Sequence, residues 1–381
     1  MKYIVLILDG AADYPLEELN WKTPLEEAYT PNLDFIAKKG RGGLLKTLFK
    51  GLPKGSDVAN LAILGYDPRK HYTGRGAIEA KALGIELSDE EIAFRCNLIT
   101  LKDEKIEDYS AGHISTQDAK EIISILNKEL DIGRFYAGVS YRNIFIVDAQ
   151  GCDPKMLKST PPHEILGEPI SQHLIRGECS LVDKLNKLMI DSIEVLKKSK
   201  ADMIWLWGQG KKLELESFEN KYGLKAGVIS AVDLIKGIAG YARMRVIEVE
   251  GATGYYDTNY KAKGKAAVDS IKTLDFAYIH VEAPDEAGHE GNVEEKIRAI
   301  ENIDREILGM ILDSGVEVKI AALPDHATPI KVRTHTADPV PFIIYSPKDK
   351  GDEIKKFSER EAIFGSFGIR NALELMQLLL S

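Results

Sequence analysis

Cysteine is scarce. The 381 residues carry three, Cys96, Cys152 and Cys179, with no C-x-x-C spacing among them. A disulfide framework or a zinc ribbon is therefore not expected, and a reduced, cytoplasmic setting is. Long apolar runs are also missing: nothing approaches the length that spans a bilayer. The chain opens on the short apolar run Tyr3–Leu8 rather than on a basic segment followed by a signal-type stretch, so no leader is expected. Positive charge is in deficit, 50 Lys and Arg against 59 Asp and Glu, for a net charge of −9. That balance offers no electrostatic reason to bind nucleic acid or an anionic membrane. A small anionic ligand would have to find its positive charge locally, from a metal or an arginine. Internal repeats, low-complexity tracts and a G-x-x-x-x-G-K-[ST] phosphate loop are all absent.

What is present suffices for a large core, with 44% hydrophobic and 29% charged residues. Short apolar runs alternate with amphipathic stretches at both ends of the chain. Tyr3–Leu8 reads as a strand and Thr30-Pro31 as the N-cap and first residue of a helix that Gly40 stops. After residue 200, strands are expected at 203–207, 246–249, 276–281 and 318–323, with helices at 226–239, 259–273 and 293–313 between them. An edge strand at 342–345 and a helix at 371–380 close the pattern. Such alternation predicts an α/β fold, a doubly wound, mostly parallel sheet. Between residues 89 and 199 the texture changes to alternating, antiparallel-looking strands around the helix at 116–130. This segment reads as an inserted α+β cap domain, with 1–88 and 200–381 forming the core.

Three of the core strands end in ligand-type residues. Tyr3–Leu8 runs into Asp9; Phe276–Val281 runs into a segment with Asp285 and His289, four apart and so on one face of a helical turn; Val318–Leu323 runs into Asp325 and His326. His335 follows in the next loop, so three of only eight histidines fall in these loops. Carboxylate and imidazole are the donors a divalent metal takes from a protein, and ligands of open α/β sheets bind at the carboxyl ends of the strands. One polymetal site is the natural reading. Upstream, Gly55-Ser56-Asp57 precedes apolar residues at helical spacing, which puts Ser56 at or near a helix N-terminus, where backbone N–H groups favour an anion. There Ser56 is either a simple N-cap or, beside a metal, a nucleophile.

Taken together, LDG (Leu8–Gly10), GSDVANLAILGYDP (Gly55–Pro68), AFRCN (Ala93–Asn97), KYGLKA (Lys221–Ala226), GATGYYDTN (Gly251–Asn259), APDEAGHEG (Ala283–Gly291), PDHATP (Pro324–Pro329) and THTADPVPF (Thr334–Phe342) resemble the cofactor-independent phosphoglycerate mutases of archaeal type, in the alkaline phosphatase superfamily. The resemblance runs over nearly the whole chain. It implies two divalent ions of the Mn, Zn or Mg kind, one held by Asp9, Ser56, Asp325 and His326, the other by Asp285, His289 and His335. It implies a small phosphorylated substrate, 3-phosphoglycerate, whose phosphoryl group passes to Ser56 and back to the other hydroxyl of the glycerate. In the cap, Arg95, His113, Arg142 and His163 are the candidates for substrate contacts. Asp108–His113 reads DYSAGH where those mutases carry DRRAGR, and Thr160–Glu164 reads TPPHE rather than TDPHE. A branch with this cap pattern is proposed to act as homoserine kinases, so a homoserine kinase-like phosphotransferase is the alternative that the resemblance admits. The sequence sets no oligomeric state.

Overall fold

The computed structural model describes residues 1–352 and 354–381. The chain divides into two compact units, one made of residues 1–72 and 215–381 and the other of residues 73–214.

The first unit holds an eight-stranded sheet. Its strands are β1 (Lys2–Leu8), β2 (Arg41–Lys46), β8 (Ala226–Ile229), β9 (Arg245–Val246), β10 (Phe276–Val281), β11 (Val318–Leu323), β12 (Val340–Tyr345) and β13 (Gly368–Asn371), in the order β13-β2-β12-β11-β1-β10-β8-β9. The pairs β1 with β10, β1 with β11, β10 with β8, β8 with β9 and β13 with β2 are parallel; only β12 runs antiparallel to its neighbours. Ile4 to Leu8 are all at 0% exposure, so both faces of β1 are covered, as expected of a central parallel strand. Ile4, Leu6 and Leu8 pack with Ile36, Ala267, Ile300 and Ile307 from the helices on one face.

The second unit is built on an antiparallel sheet of β3 (Glu91–Lys102), β4 (Lys105–Asp108), β5 (Arg134–Val139), β6 (Arg142–Asp148) and β7 (Met203–Gly210), with β3 between β6 and β7. Its core takes in the apolar faces of the helices Thr116–Glu129 and Leu181–Leu196.

Several expectations are corrected. The stretch at 203–207 does not resume the main sheet: β7 pairs with β3, and the helix Arg75–Ala82 packs on both strands. The two units therefore divide at 72/73 and 214/215, outside the expected 88/89 and 199/200. The segment at 342–345 is no edge: β12 lies between β2 and β11, and β13, just ahead of the stretch read as the last helix, takes the edge. The stretch at 293–313, read as one helix, passes through a π-helical segment at Ile303–Leu308. Thr30 makes no side-chain cap bond; Asp304, from that π segment, accepts from Leu33 N at 2.6 Å and Asn32 N at 3.3 Å instead. A residue far along the chain thus does the capping that the local sequence offered to Thr30.

Cysteine also departs from expectation. Cys152 and Cys179 form a disulfide with their Cα atoms 5.8 Å apart, while Cys96 is free and buried in β3. The pairing arises because Lys158 and Arg176 bridge their segments, Lys158 N donating to Arg176 O at 2.8 Å and Arg176 N to Lys158 O at 3.0 Å. No helix among the described residues is long and apolar enough to cross a membrane.

Candidate active site

The sheet order places β1 between β10 and β11, with Leu8 opposite Val281 and Ile7 opposite Leu323. Three parallel strands therefore stop side by side, and the residues just past their ends, Asp9, Asp285 and Asp325 with His326, meet at one point. Gly10 makes this possible: it has φ +62°, and a Cβ there would lie 2.6 Å from Asp285 Cα. Only a residue without a side chain lets the two loops close up in this way.

Asp285 and His289 share one face of the helix Ala283–Glu290, His289 Nε2 lying 3.3 Å from Asp285 Oδ2. His335 Nε2 is 3.5 Å from Asp285 Oδ1, and 3.0 Å from His289 Nε2. On the other side, His326 Nε2 is 3.5 Å from Asp9 Oδ1 and 3.7 Å from Asp325 Oδ2. The rings of His326 and His335 are 4.0 Å apart, so the two groups are contiguous. Ser56 is the first residue of the helix Ser56–Ile63, which Gly55 precedes, and its Oγ lies 3.0 Å from His326 Nε2. All seven residues expected at the core site are thus brought together.

The site is short of positive charge. Burial, and then the charges of Asp325 and Asp285, push the Asp9 carboxyl well above its usual range, and Asp9 Oδ1 is buried without a hydrogen-bond partner. Burial also works to raise Asp285, but hydrogen bonds from His289 and His335 outweigh it and hold this carboxyl well below its usual range. Burial disfavours a charged His289, yet Asp285 lifts it to about 9. His326, with burial dominant, is lowered. A buried carboxylate cluster demands cations, as protons on the imidazoles or as metal. The donors fit metal. His289 Nδ1 lies 3.1 Å from Arg333 O and His335 Nδ1 2.8 Å from Lys54 O, carbonyls that fix each ring with its Nε2 turned inward, the arrangement usual for metal-bound imidazole. Asp285, His326 and His335, and likewise Asp9, Asp325 and His326, each offer ligand atoms within 4.8 Å of one another.

Sequence reasoning missed several residues here. His280, in β10, is 1% exposed with Nε2 3.2 Å from Asp9 Oδ2, and burial lowers it to about 4. It groups with Asp9 and Glu282. Thr328 donates its hydroxyl to Asp285. Lys296 Nζ donates to Asp13 Oδ2 at 2.7 Å and Thr328 O at 2.9 Å. Asn60 Nδ2 donates to Asp325 Oδ2 at 2.8 Å. The available signals were a histidine inside an apolar strand and a lysine on the buried face of an amphipathic helix.

In the second unit the four expected cap residues lie along one chain of ring contacts. The Arg95 guanidinium sits 4.4 Å over the Trp207 ring, whose centroid is 5.8 Å from that of His163. His163 is 5.9 Å from Tyr109, and Tyr109 is 5.6 Å from Tyr141. Tyr141 is 6.3 Å from His113 and 5.2 Å from the Arg142 guanidinium. Arg95 is only 6% exposed, with Nε 3.0 Å from Glu79 Oε2, and Arg75 Nε lies 2.7 Å from Glu79 Oε1. Asp108 shapes the turn before His113 by accepting from Ser110 N at 2.7 Å and Gly112 N at 2.8 Å.

Residues 37–202 match the family described as 2,3-bisphosphoglycerate-independent phosphoglycerate mutase. A relative from Methanothermobacter thermautotrophicus, named 2,3-bisphosphoglycerate-independent phosphoglycerate mutase 2, is 50% identical over all of this chain and 97% of its own length. A Methanosarcina mazei protein, named 2,3-bisphosphoglycerate-independent phosphoglycerate mutase, is 46% identical with full coverage of both chains. Among solved structures, the cofactor-independent phosphoglycerate mutase of Thermoplasma acidophilum superposes with a TM-score of 0.68 at 26% identity, covering 100% of this chain and 99% of its own. A Pyrococcus horikoshii protein gives 0.84 at 31%, covering 100% and 96%. Similarity of this extent, over the whole length, shows that the chain belongs to the 2,3-bisphosphoglycerate-independent phosphoglycerate mutase family.

Proposed function

We propose that this protein is a phosphoglycerate mutase that interconverts 3- and 2-phosphoglycerate through a phosphoserine at Ser56. One observation carries the reading: Ser56 Oγ stands at a helix N-terminus, 3.0 Å from His326 Nε2, inside the carboxylate and imidazole cluster at the strand ends. The names of the relatives agree with it, and none of those cited is named a kinase.

Asp9, Ser56, Asp325 and His326 would hold one divalent ion and Asp285, His289 and His335 a second, of the Mn, Zn or Mg kind. Such a pair supplies charge neutralisation at the entering and leaving oxygens of phosphoryl transfer. The protein's own residues do the rest. The Ser56 oxygen attacks phosphorus, the bond from phosphorus to the 3-oxygen breaks, and the phosphoryl group rests on Ser56. The glycerate then attacks through its 2-hydroxyl and releases Ser56. The helix N-terminus at Ser56 favours the phosphoryl oxygens. Arg95 and Arg142, with His113 and His163, are assigned to the substrate's carboxylate and phosphate; guanidinium suits both. The substrate is small and phosphorylated.

The test compares 3-phosphoglycerate alone with homoserine plus ATP, in one metal-loaded preparation and in Ser56→Ala. We expect mutase turnover in the wild type, a fall of several powers of ten in the variant with its fold retained, and a phosphopeptide covering Ser56 after rapid quenching. Saturable phosphorylation of homoserine beside background mutase rates would overturn the substrate assignment; near-normal turnover by Ser56→Ala would remove the nucleophile.

A further inference from the structure

Asn60 occupies a place that composition does not explain. It lies on the helix Ser56–Ile63, one turn beyond Ser56, at 0% exposure, where an aliphatic side chain would pack without desolvating an amide. Each of its polar atoms is used. Nδ2 donates to Ser56 O at 2.8 Å and to Asp325 Oδ2 at 2.8 Å, and Oδ1 accepts the hydroxyl of Tyr278 in β10. One side chain thus touches the backbone of the nucleophile and a carboxylate 265 residues away. The other oxygen of that carboxylate, Asp325 Oδ1, accepts from His326 N at 3.0 Å and Gly10 N at 3.3 Å. Asp325 is therefore gripped from both sides, with Asn60 donating on the Oδ2 side.

Tyr278 holds the amide from its other side. Turned over, Asn60 would present Oδ1 to the Asp325 carboxylate and to the Ser56 carbonyl, acceptor against acceptor. Those two acceptors therefore fix the amide's direction, and the Tyr278 hydroxyl, which can donate or accept, completes the grip by donating to Oδ1. Tyr278 is wholly buried, with Asp9 and Asp325 close enough to disfavour a phenolate, so it remains a donor.

We propose that Asn60 is a positioning residue for the mutase reaction: it fixes the Asp325 carboxylate relative to the Ser56 turn, and Tyr278 acts only through it, by anchoring its amide oxygen. The role in turnover rests on the mutase reading; the role in metal binding does not. Partners that orient metal-binding carboxylates typically change metal affinity or activity by about 10- to 100-fold when removed. Residues that act as one unit show losses that do not add.

The experiment titrates Mn calorimetrically into metal-stripped, substrate-free wild type, Asn60→Leu, Tyr278→Phe and the double variant, then measures kcat and KM on 3-phosphoglycerate. Asn60→Leu, close in volume, should weaken Mn binding by about 10- to 100-fold. It should lower kcat at saturating metal while KM moves less than about twofold, because Asn60 does not reach the substrate. Tyr278→Phe should show a smaller loss of the same kind, and the double variant should be no worse than Asn60→Leu. Mn affinity and kcat within about twofold of wild type in both single variants, or losses that simply add in the double, would overturn the proposal. If Asn60→Leu does not fold, Tyr278→Phe decides: unchanged Mn affinity and kcat in that variant overturn it. Should the wild type itself lack mutase activity, the mutase reading fails while the substrate-free titration still judges Asn60.

Discussion

Lys296 and Asp13 form an ion pair whose side chains are both at 0% exposure. Beyond Asp13, the ammonium reaches Thr328 O at 2.9 Å and Ala12 O at 3.4 Å. Asp13 in turn accepts from Ile330 N at 3.1 Å and Tyr14 N at 2.8 Å. The pair therefore ties the loop after Asp9 to the loop after His326. Lys296→Met keeps most of the stem volume and removes the charge, leaving a buried carboxylate with N–H donors but no cation. Breaking a buried pair from one side typically costs about 3–5 kcal/mol. A domain marginally stable by about 5–15 kcal/mol would lose a large part of that. At roughly 2–4 °C per kcal/mol, its melting point should fall by roughly 6–20 °C. Lys296→Met with Asp13→Asn removes both charges and leaves an amide oxygen for Ile330 N, so the double variant should lie within about 2 kcal/mol of wild type. Urea unfolding of metal-stripped protein, with equal slopes checked across variants, measures each value. A loss below about 1 kcal/mol in Lys296→Met, or a double variant as unstable as the sum of its singles, would refute the reasoning.

Two further outcomes are expected. Treatment with a chelator should abolish turnover and added divalent metal should restore it; full activity in protein shown by elemental analysis to be metal-free would remove the two-ion chemistry. The second concerns Glu359, which accepts from Asp13 N at 2.9 Å and Thr23 Oγ1 at 2.7 Å and which burial raises to about 7. Between the ordinary carboxyl value and 7 the folded state keeps a proton that the unfolded chain has lost, so stability falls as pH rises through that window, by up to roughly 3 kcal/mol. In Glu359→Gln this part of the slope should vanish, and urea midpoints that track wild type from pH 4.5 to 8 would show that Glu359 does not titrate there.

Much of the site was legible because its signals are local. Asp9, Asp285 and Asp325 each follow an apolar run, and a run's end is marked by consecutive residues. Asp285 and His289 share a helical face because four residues make about one turn. The family resemblance added the role proposed for Ser56 and the proposed division of ligands between two ions. The parallel character of the sheet was legible from alternation, although β8 fell inside the stretch at 226–239 that reads as helix.

What required the tertiary structure is partner choice. The run at 203–207 reads as strand in either sheet, and only pairing with β3 puts it in the second unit. The run at 342–345 looks like an edge until β2, from residues 41–46, comes to lie beside it. Thr30 offered a cap, but Asp304 arrived with two carboxylate oxygens. Cys152 and Cys179 pair because the backbones at Lys158 and Arg176 meet. His280, Lys296 and Asn60 read as ordinary members of a strand and two helices; their importance exists only where those elements converge. Periodicity is carried by neighbours in sequence and so can be read there. Which buried polar group meets which is decided by the packing that leaves none of them in water, and that packing joins residues hundreds of positions apart.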